Sequence, residues 1–304
     1  MKFLFSVLAI WVQLFAFSQE PALPNLKDFA KTRDFTISNN SNEAYFTVQS
    51  PNEEVSGIFK TVKKEGNWQS PVLVSFSGKY KDLEPFLSPD GLQLYFVSNR
   101  PLNESEENPK DYDIWVVERK SKTSNWSKPR NLGAPINTEY NEFYPVITNS
   151  KNMYFTSDKP TAKGKDDIFL SEWKDQSYQE TISLSVAINS EGYEYNAFVA
   201  PDESFILFGA YKRKDGLGSG DMYISYKKEG KWTPAKNLGE NYNSQQMDYC
   251  PFVHMPSKTL YFTSRRSTIK TGNNYSTTEF MSEINKYNNG LSRIYKIDFS
   301  KFIN

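Results

Sequence analysis

The sequence predicts an all-β fold, a five-bladed β-propeller, on three observations. A short apolar run ending in phenylalanine recurs five times, at Phe46, Phe96, Phe155, Phe208 and Phe262, with spacings of 50, 59, 53 and 54 residues. Each run is followed by a second pair of one aliphatic and one aromatic residue: Ile58-Phe59, Ile114-Trp115, Ile168-Phe169, Met222-Tyr223 and Ile294-Tyr295. After four of the five pairs stands a further aromatic, Trp68, Trp126, Tyr178 or Trp232. Self-similarity at a period near fifty, built from short aromatic-rich strands, is the signature of a propeller or a related repeat array. Aromatic residues make up 15% of the chain, which suits a sheet core.

Residues 1–18 stand apart from the repeats. Lys2, the apolar stretch Phe3 to Phe17 and the exit Ala16-Phe17-Ser18 have the layout of a secretory signal peptide. An uncleaved anchor is the alternative, but the stretch is short for a span and runs into a polar, proline-rich segment. Cleavage leaves about 286 residues, 35 of them basic and 36 acidic, and no second run that could cross a membrane. The resulting single domain, residues 19–304, carries no basic stripe, so a nucleic-acid partner is not expected. Cys250 is the sole cysteine, so no intrachain disulfide is available and the core must hold the fold.

The second repeat shows the blade most clearly. Glu84 to Ser88 reads as a short strand, Pro89-Asp90-Gly91 as a turn and Leu92 to Ser98 as a second strand. A polar loop, 99–112, leads to a third strand at Asp113 to Glu118 and a fourth at Trp126 to Leu132. Four antiparallel strands per repeat is the blade of a propeller. The fourth repeat matches closely, while the third is degenerate in its fourth strand, with Tyr178 in the tryptophan position.

The residues Ser88-Pro89-Asp90-Gly91, Leu94 to Arg100 and Asp113-Ile114-Trp115 resemble the WD40-like repeat of TolB-type propellers. Asn131-Leu132-Gly133, followed by Ile136-Asn137-Thr138 and Glu142, is also similar to repeats fused to OmpA-like envelope domains in Bacteroidetes-type bacteria. No such domain is expected here, which argues against direct peptidoglycan anchoring. The resemblance implies a periplasmic or extracellular propeller that binds a protein or glycan of the cell envelope. The last repeat lacks a fourth strand of its own. Pro24-Asn25-Leu26 is similar to Arg130-Asn131-Leu132 and Lys236-Asn237-Leu238. Residues around 22–30 are therefore expected to pair with residues around 293–299 and close the ring, which removes an exposed edge.

A second motif lies between the blades: Asn137-Thr138 with Glu142, Asn189-Ser190 with Glu194, Asn243-Ser244 with Asp248 and, more loosely, Ser77-Gly78 with Asp82. It marks the crossing from one blade to the next and places Asp82, Glu142, Glu194 and Asp248 near one channel mouth. In the first blade Lys31 takes the nearest position, so the ring of acids is broken. The longer loops, 99–112, 158–166, 210–220 and 265–292, open on the same face, where binding residues gather on rigid scaffolds. Candidate ligand-binding residues are those four acids with Tyr140, Tyr144, Tyr193, Tyr195, Tyr249, Arg100 and Arg265. A structural reading competes, in which the Asn, Ser and Thr side chains bind turn backbone and the acids pair with amides or basic neighbours. In the last loop, Ser276 to Glu279 is a capping-box pattern that predicts a short helix.

Catalytic signatures are scarce. His254, the sole histidine, aligns with the tight-turn side, away from the acids, and no nucleophile-base pair surrounds it. No His/Cys cluster suits zinc and no phosphate loop is present. Oxygen ligands at the mouth would suit Ca²⁺, but nothing demands it, so neither metal nor cofactor is expected. The sequence thus supports a non-catalytic binding or scaffold module, with a glycan-cleaving enzyme using two mouth carboxylates as the alternative. A subunit of a larger envelope assembly is a third reading.

Overall fold

A computed structural model describes residues 19–303 apart from positions 104 and 107. Residues 1–18, read above as a signal peptide, lie outside the described residues. Five four-stranded antiparallel sheets are built in sequence from the axis outward. Blade 1 runs Lys31–Ile37, Glu43–Gln49, Ser56–Lys64 and Val72–Leu73; blade 2 runs Asp82–Leu87, Gln93–Ser98, Asp113–Glu118 and Arg130–Asn131. Blade 3 has Glu142–Ile147, Met153–Ser157, Asp167–Ser171 and Ile182–Ser183; blade 4 has Tyr193–Val199, Phe205–Tyr211, Asp221–Lys228 and Lys236–Asn237. Blade 5 takes Asp248–His254, Thr259–Ser264 and Arg293–Asp298 from the C-terminal end and its outer strand, Glu20–Pro21, from the N-terminal end. The five inner strands touch in the cyclic order 1–2–3–4–5–1, so the ring is closed.

The closing strand sits slightly earlier than the sequence suggested. Glu20 and Pro21 pair with Lys296 and Tyr295, and the Ala22 amide donates to the Ile294 carbonyl at 2.9 Å. Pro24–Asp28, expected to be extended, is a short 3-10 helix instead. Proline at the first helical position favours that turn. Leu23 and Leu26 are buried there, so the segment plugs the core after it has closed the sheet.

Register explains the two aromatic signals. Phe46 faces Phe59, Phe96 faces Trp115, Phe155 faces Phe169, Phe208 faces Tyr223 and Phe262 faces Tyr295 across the second and third strands. Such cross-strand pairs are the unit of sheet stabilisation. The third signal divides. Trp68, Tyr178 and Trp232 belong to small hairpins beyond the blade ladder, so the outer strand of blade 3 is Ile182–Ser183 and not the segment at Tyr178. Trp126 precedes a two-residue outer strand, and its indole N–H donates to the Tyr45 hydroxyl at 3.1 Å.

Each inner strand carries a bulge at the same place. The residue there has a left-handed backbone: Asp34 (φ 58°), Glu84 (55°), Tyr144 (50°), Asn196 (52°) and Cys250 (51°). None is glycine, so each costs on the order of 1–2 kcal/mol. The surrounding ring fixes that conformation five times over.

Candidate functional site

The four motif acids are fully buried and engaged by their own blades. Asp82 receives Arg100 at 2.7 Å and the Ser77 hydroxyl at 2.7 Å. Glu194 receives Arg213 at 2.9 Å, with the Ser190 amide and hydroxyl at 2.7 Å each. Asp248 receives Arg266 at 2.8 Å and the amide and hydroxyl of Ser244. Glu142 is held by the Thr138 amide at 3.0 Å and hydroxyl at 2.6 Å, with no arginine. Burial raises its carboxyl to about 7, aided by Asp113 and opposed by Thr138 and Lys159. The asparagines of the motif clamp the third strands. Asn137, Asn189 and Asn243 each accept from the amide and donate to the carbonyl of Ile114, Ile168 and Met222.

The basic residues that meet the acids also fill the aromatic slots. Arg100 lies over Phe96 and Trp115, Arg213 over Phe208 and Tyr223, and Arg266 over Phe262 and Tyr295, all between 4.8 and 5.4 Å from the ring centroids. Lys159 takes the same place in blade 3 and bonds Thr181. In blade 1 the slot is filled by Phe29, 6.1 Å from Phe46 and 5.3 Å from Phe59. Counted from the bulge, Thr32 and not Lys31 stands in register with the acids; Lys31 turns to Glu53. Acid, hydroxyl, cation and aromatic pair therefore form one repeated unit in blades 2, 4 and 5, with Lys159 as its cation in blade 3 and Phe29 in place of the cation in blade 1.

The five bulge residues converge on the axis and do not repeat in chemistry. Glu84 of blade 2 is 4% exposed and accepts from the Arg33 guanidinium at 2.7 Å, the Tyr144 amide at 2.7 Å and the Asn196 side chain at 3.2 Å. Arg33 also donates to Asp34 at 2.8 Å and approaches the Cys250 sulfur at 3.6 Å. The Tyr144 hydroxyl reaches the Pro251 carbonyl at 2.9 Å. Burial pushes the Glu84 carboxyl up and the Arg33 charge draws it back.

Above this floor, at the mouth where the longer loops emerge, opens a cavity of about 570 Å³. Its aromatic wall is Phe143, Tyr193, Tyr195, Tyr211 and Tyr249. Its polar groups include Arg33, Glu84, Asp166, Asn196, Ser219 and Arg265. Tyr193 and Tyr211 meet edge to face at 6.0 Å. Tyr195 is seated by two close approaches. A Cβ at Gly220 would come within 2.5 Å of its hydroxyl, and one at Gly209 within 2.5 Å of its ring. That hydroxyl is buried without a hydrogen-bond partner among the described residues. The Asp166 carboxylate likewise has no hydrogen bond or ion pair among the described residues. Burial raises it, followed by Asp158, Asp167 and Glu194.

Of the residues singled out from the sequence, Tyr193, Tyr195, Tyr249 and Arg265 line this cavity. Tyr144 lies beneath it in the axial ring, and Arg100 lies in the aromatic slot of blade 2. Tyr140 is half-buried in the turn whose amide donates to Thr138. The four acids lie behind the wall. Arg33, Glu84, Asp166, Asn196 and Tyr211 were not singled out. For Glu84 and Asn196 the signal was the position two residues after the motif acid, which reads Glu84, Tyr144, Asn196 and Cys250, where the rest of the motif repeats; Arg33, Asp166 and Tyr211 stand outside that position. His254 is buried on the tight-turn side, bonded to Ser257 and to the Asn39 carbonyl. Among the described residues no group of three or more His, Cys, Asp or Glu is placed to hold a metal ion. No helix among them is long and apolar enough to cross a membrane.

No family model matches the chain, and no curated protein does. Among solved structures, it is similar to the catalytic domain of a GH62 α-L-arabinofuranosidase from Coprinopsis cinerea, at 9% identity and TM-score 0.53, over 93% of this chain and 96% of that one. A second α-L-arabinofuranosidase, from Podospora anserina, gives 11% identity and TM-score 0.52 over the same shares. A provisionally named TolB from Agrobacterium tumefaciens gives 13% identity and TM-score 0.49 over 77% of this chain and 69% of that one. At these identities the likeness is one of fold, and activity belongs to sites grafted on folds.

Proposed function

We propose that this chain is an exported, non-catalytic propeller of the TolB-like kind, which binds a protein or glycan of the cell envelope at its channel mouth. One observation carries the reading. The motif acids are consumed by internal bonds, while the mouth keeps an open cavity walled by tyrosines. Hydrolysis of a glycosidic bond needs two free carboxyl groups facing each other across the substrate. Glu84 faces the cavity, but its oxygens are taken up by Arg33, Asn196 and the Tyr144 amide. A largely apolar hollow with a few convergent polar groups is instead the usual form of a binding site.

The hydrolase reading keeps one observation in its favour, since unpartnered Asp166 shares the cavity with Glu84. The two are separated by assaying the mature chain and its Asp166→Asn variant on aryl glycosides and on envelope polysaccharides. The binding reading expects retention on a polysaccharide or envelope-protein column, lost when Ser219→Trp plugs the exposed rim, with no product released. Turnover that disappears in Asp166→Asn would replace it with the hydrolase.

A further inference from the structure

We infer that the cavity recognises a short, uncharged oligosaccharide, with Asp166 and Asn196 as hydrogen-bonding anchors and Tyr193 and Tyr211 as stacking walls. The inference rests on the proposed role of the mouth as a binding site and names its ligand class.

Charge comes first. Two guanidiniums, Arg33 and Arg265, and two carboxylates, Glu84 and Asp166, line the same hollow. Arg33 is already neutralised by Asp34 and Glu84, and Arg265 approaches Glu53 at 3.5 Å. An anion meets the uncompensated Asp166 carboxylate, and a cation meets that carboxylate beside two guanidiniums, so neither finds a wall of one opposite sign. Polarity comes next. Asp166 offers lone pairs that no protein group uses, and Asn196 lies within reach of the same space. A planar carboxylate and a planar amide can each bond two neighbouring hydroxyls. Tyrosines present an apolar face and a polar rim, which fits a sugar ring that is apolar on its faces and polar at its edge.

Shape completes the case. The floor is sealed by the Arg33–Glu84–Tyr144 ring, so a ligand enters from the mouth and does not thread the channel. A cavity of about 570 Å³ falls in the range of sites for small ligands. Tyr195, held between Gly209 and Gly220, gives that space a fixed wall.

The test is calorimetric titration of the mature chain with trimers that differ in charge. Xylotriose, cellotriose and triacetylchitotriose are neutral, triglucosamine is cationic and trigalacturonic acid is anionic. The expected result is saturable binding of at least one neutral trimer, weakened about tenfold or more in Asp166→Asn and in Tyr211→Ala and unchanged in Val72→Ala on the exposed outer strand of blade 1. Thermal melting confirms that the variants are folded. Binding of a charged trimer alone, blocked by Ser219→Trp, overturns the uncharged ligand class and leaves the mouth as a binding site. Failure of every trimer to bind overturns the saccharide inference. Cleavage of a bound trimer sinks the non-catalytic reading itself.

Discussion

Asp82, Glu194 and Asp248 each meet an arginine at 2.7–2.9 Å, and Glu142 alone has none. Because the folded-state pKa of Glu142 is raised to about 7, the folded chain holds a proton there that the unfolded chain has released above about pH 4.3. The associated stability is complete below that point and is lost as pH rises through 7. Glu142→Gln, which keeps the shape and removes the charge, is expected to flatten this part of the pH profile. It should stabilise the protein by on the order of 2–3 kcal/mol at pH 8, measured as the difference between denaturant titrations at pH 5 and pH 8. An unchanged difference would show that Glu142 is ionised in the fold. The arginine-bound acids respond in the opposite sense to losing their partner. Arg266→Ala leaves the Asp248 carboxylate buried without its cation and should cost about 3–5 kcal/mol in the same assay. The spacing of these acids was legible because a repeated function leaves a repeated letter. The partners were harder to assign, since Arg265 and Arg266 are adjacent and only the direction of the strand decides which one turns inward.

The elements were legible where strand register repeats and illegible where the backbone departs from it. Aromatic pairs on second and third strands follow a period of two and give away the blade. The outer strands are two residues long in all five blades, too short to carry an alternating pattern, so their positions were read up to several residues out. The five bulges were invisible, because left-handed backbone at Asp34, Glu84, Tyr144, Asn196 and Cys250 is imposed by the closed ring and not by glycine. Ring closure by the N-terminal segment was foreseen from the missing strand, yet the helix at Pro24–Asp28 was not. That helix places Leu26, which is fully buried, into the core next to the closing strand. Leu26→Ala should cost about 2–5 kcal/mol, comparable with an internal core position. Val72→Ala, on an exposed outer strand, should stay within about 0.5 kcal/mol. Equal, small effects in thermal melts would mean that the N-terminal segment does not hold the ring.

At the scale of the molecule, fivefold repetition builds the scaffold and departure from it builds the axis. The clamping asparagines and the acid-cation-aromatic unit are spent within single blades. The position that does not repeat joins blades to one another. Glu84 belongs to blade 2 and is bonded to Arg33 of blade 1, Tyr144 of blade 3 and Asn196 of blade 4. Arg33 and Tyr144 extend the contact to Cys250 and Pro251 of blade 5. One carboxylate thus links all five inner strands beneath the cavity. Glu84→Gln keeps the volume but weakens the tie to Arg33, leaving a buried guanidinium with less counter-charge. A loss of about 3 kcal/mol or more is expected. Its spread is more telling than its size. Hydrogen exchange should rise along the inner strands of blades 1, 3 and 4 as well as blade 2, because opening at the hub frees their shared contacts together. Leu94→Ala, which deletes core volume on the second strand of blade 2, should raise exchange mainly within that blade and its immediate neighbours. If both variants raise exchange over the same residues, Glu84 is an ordinary core position and not the link between blades.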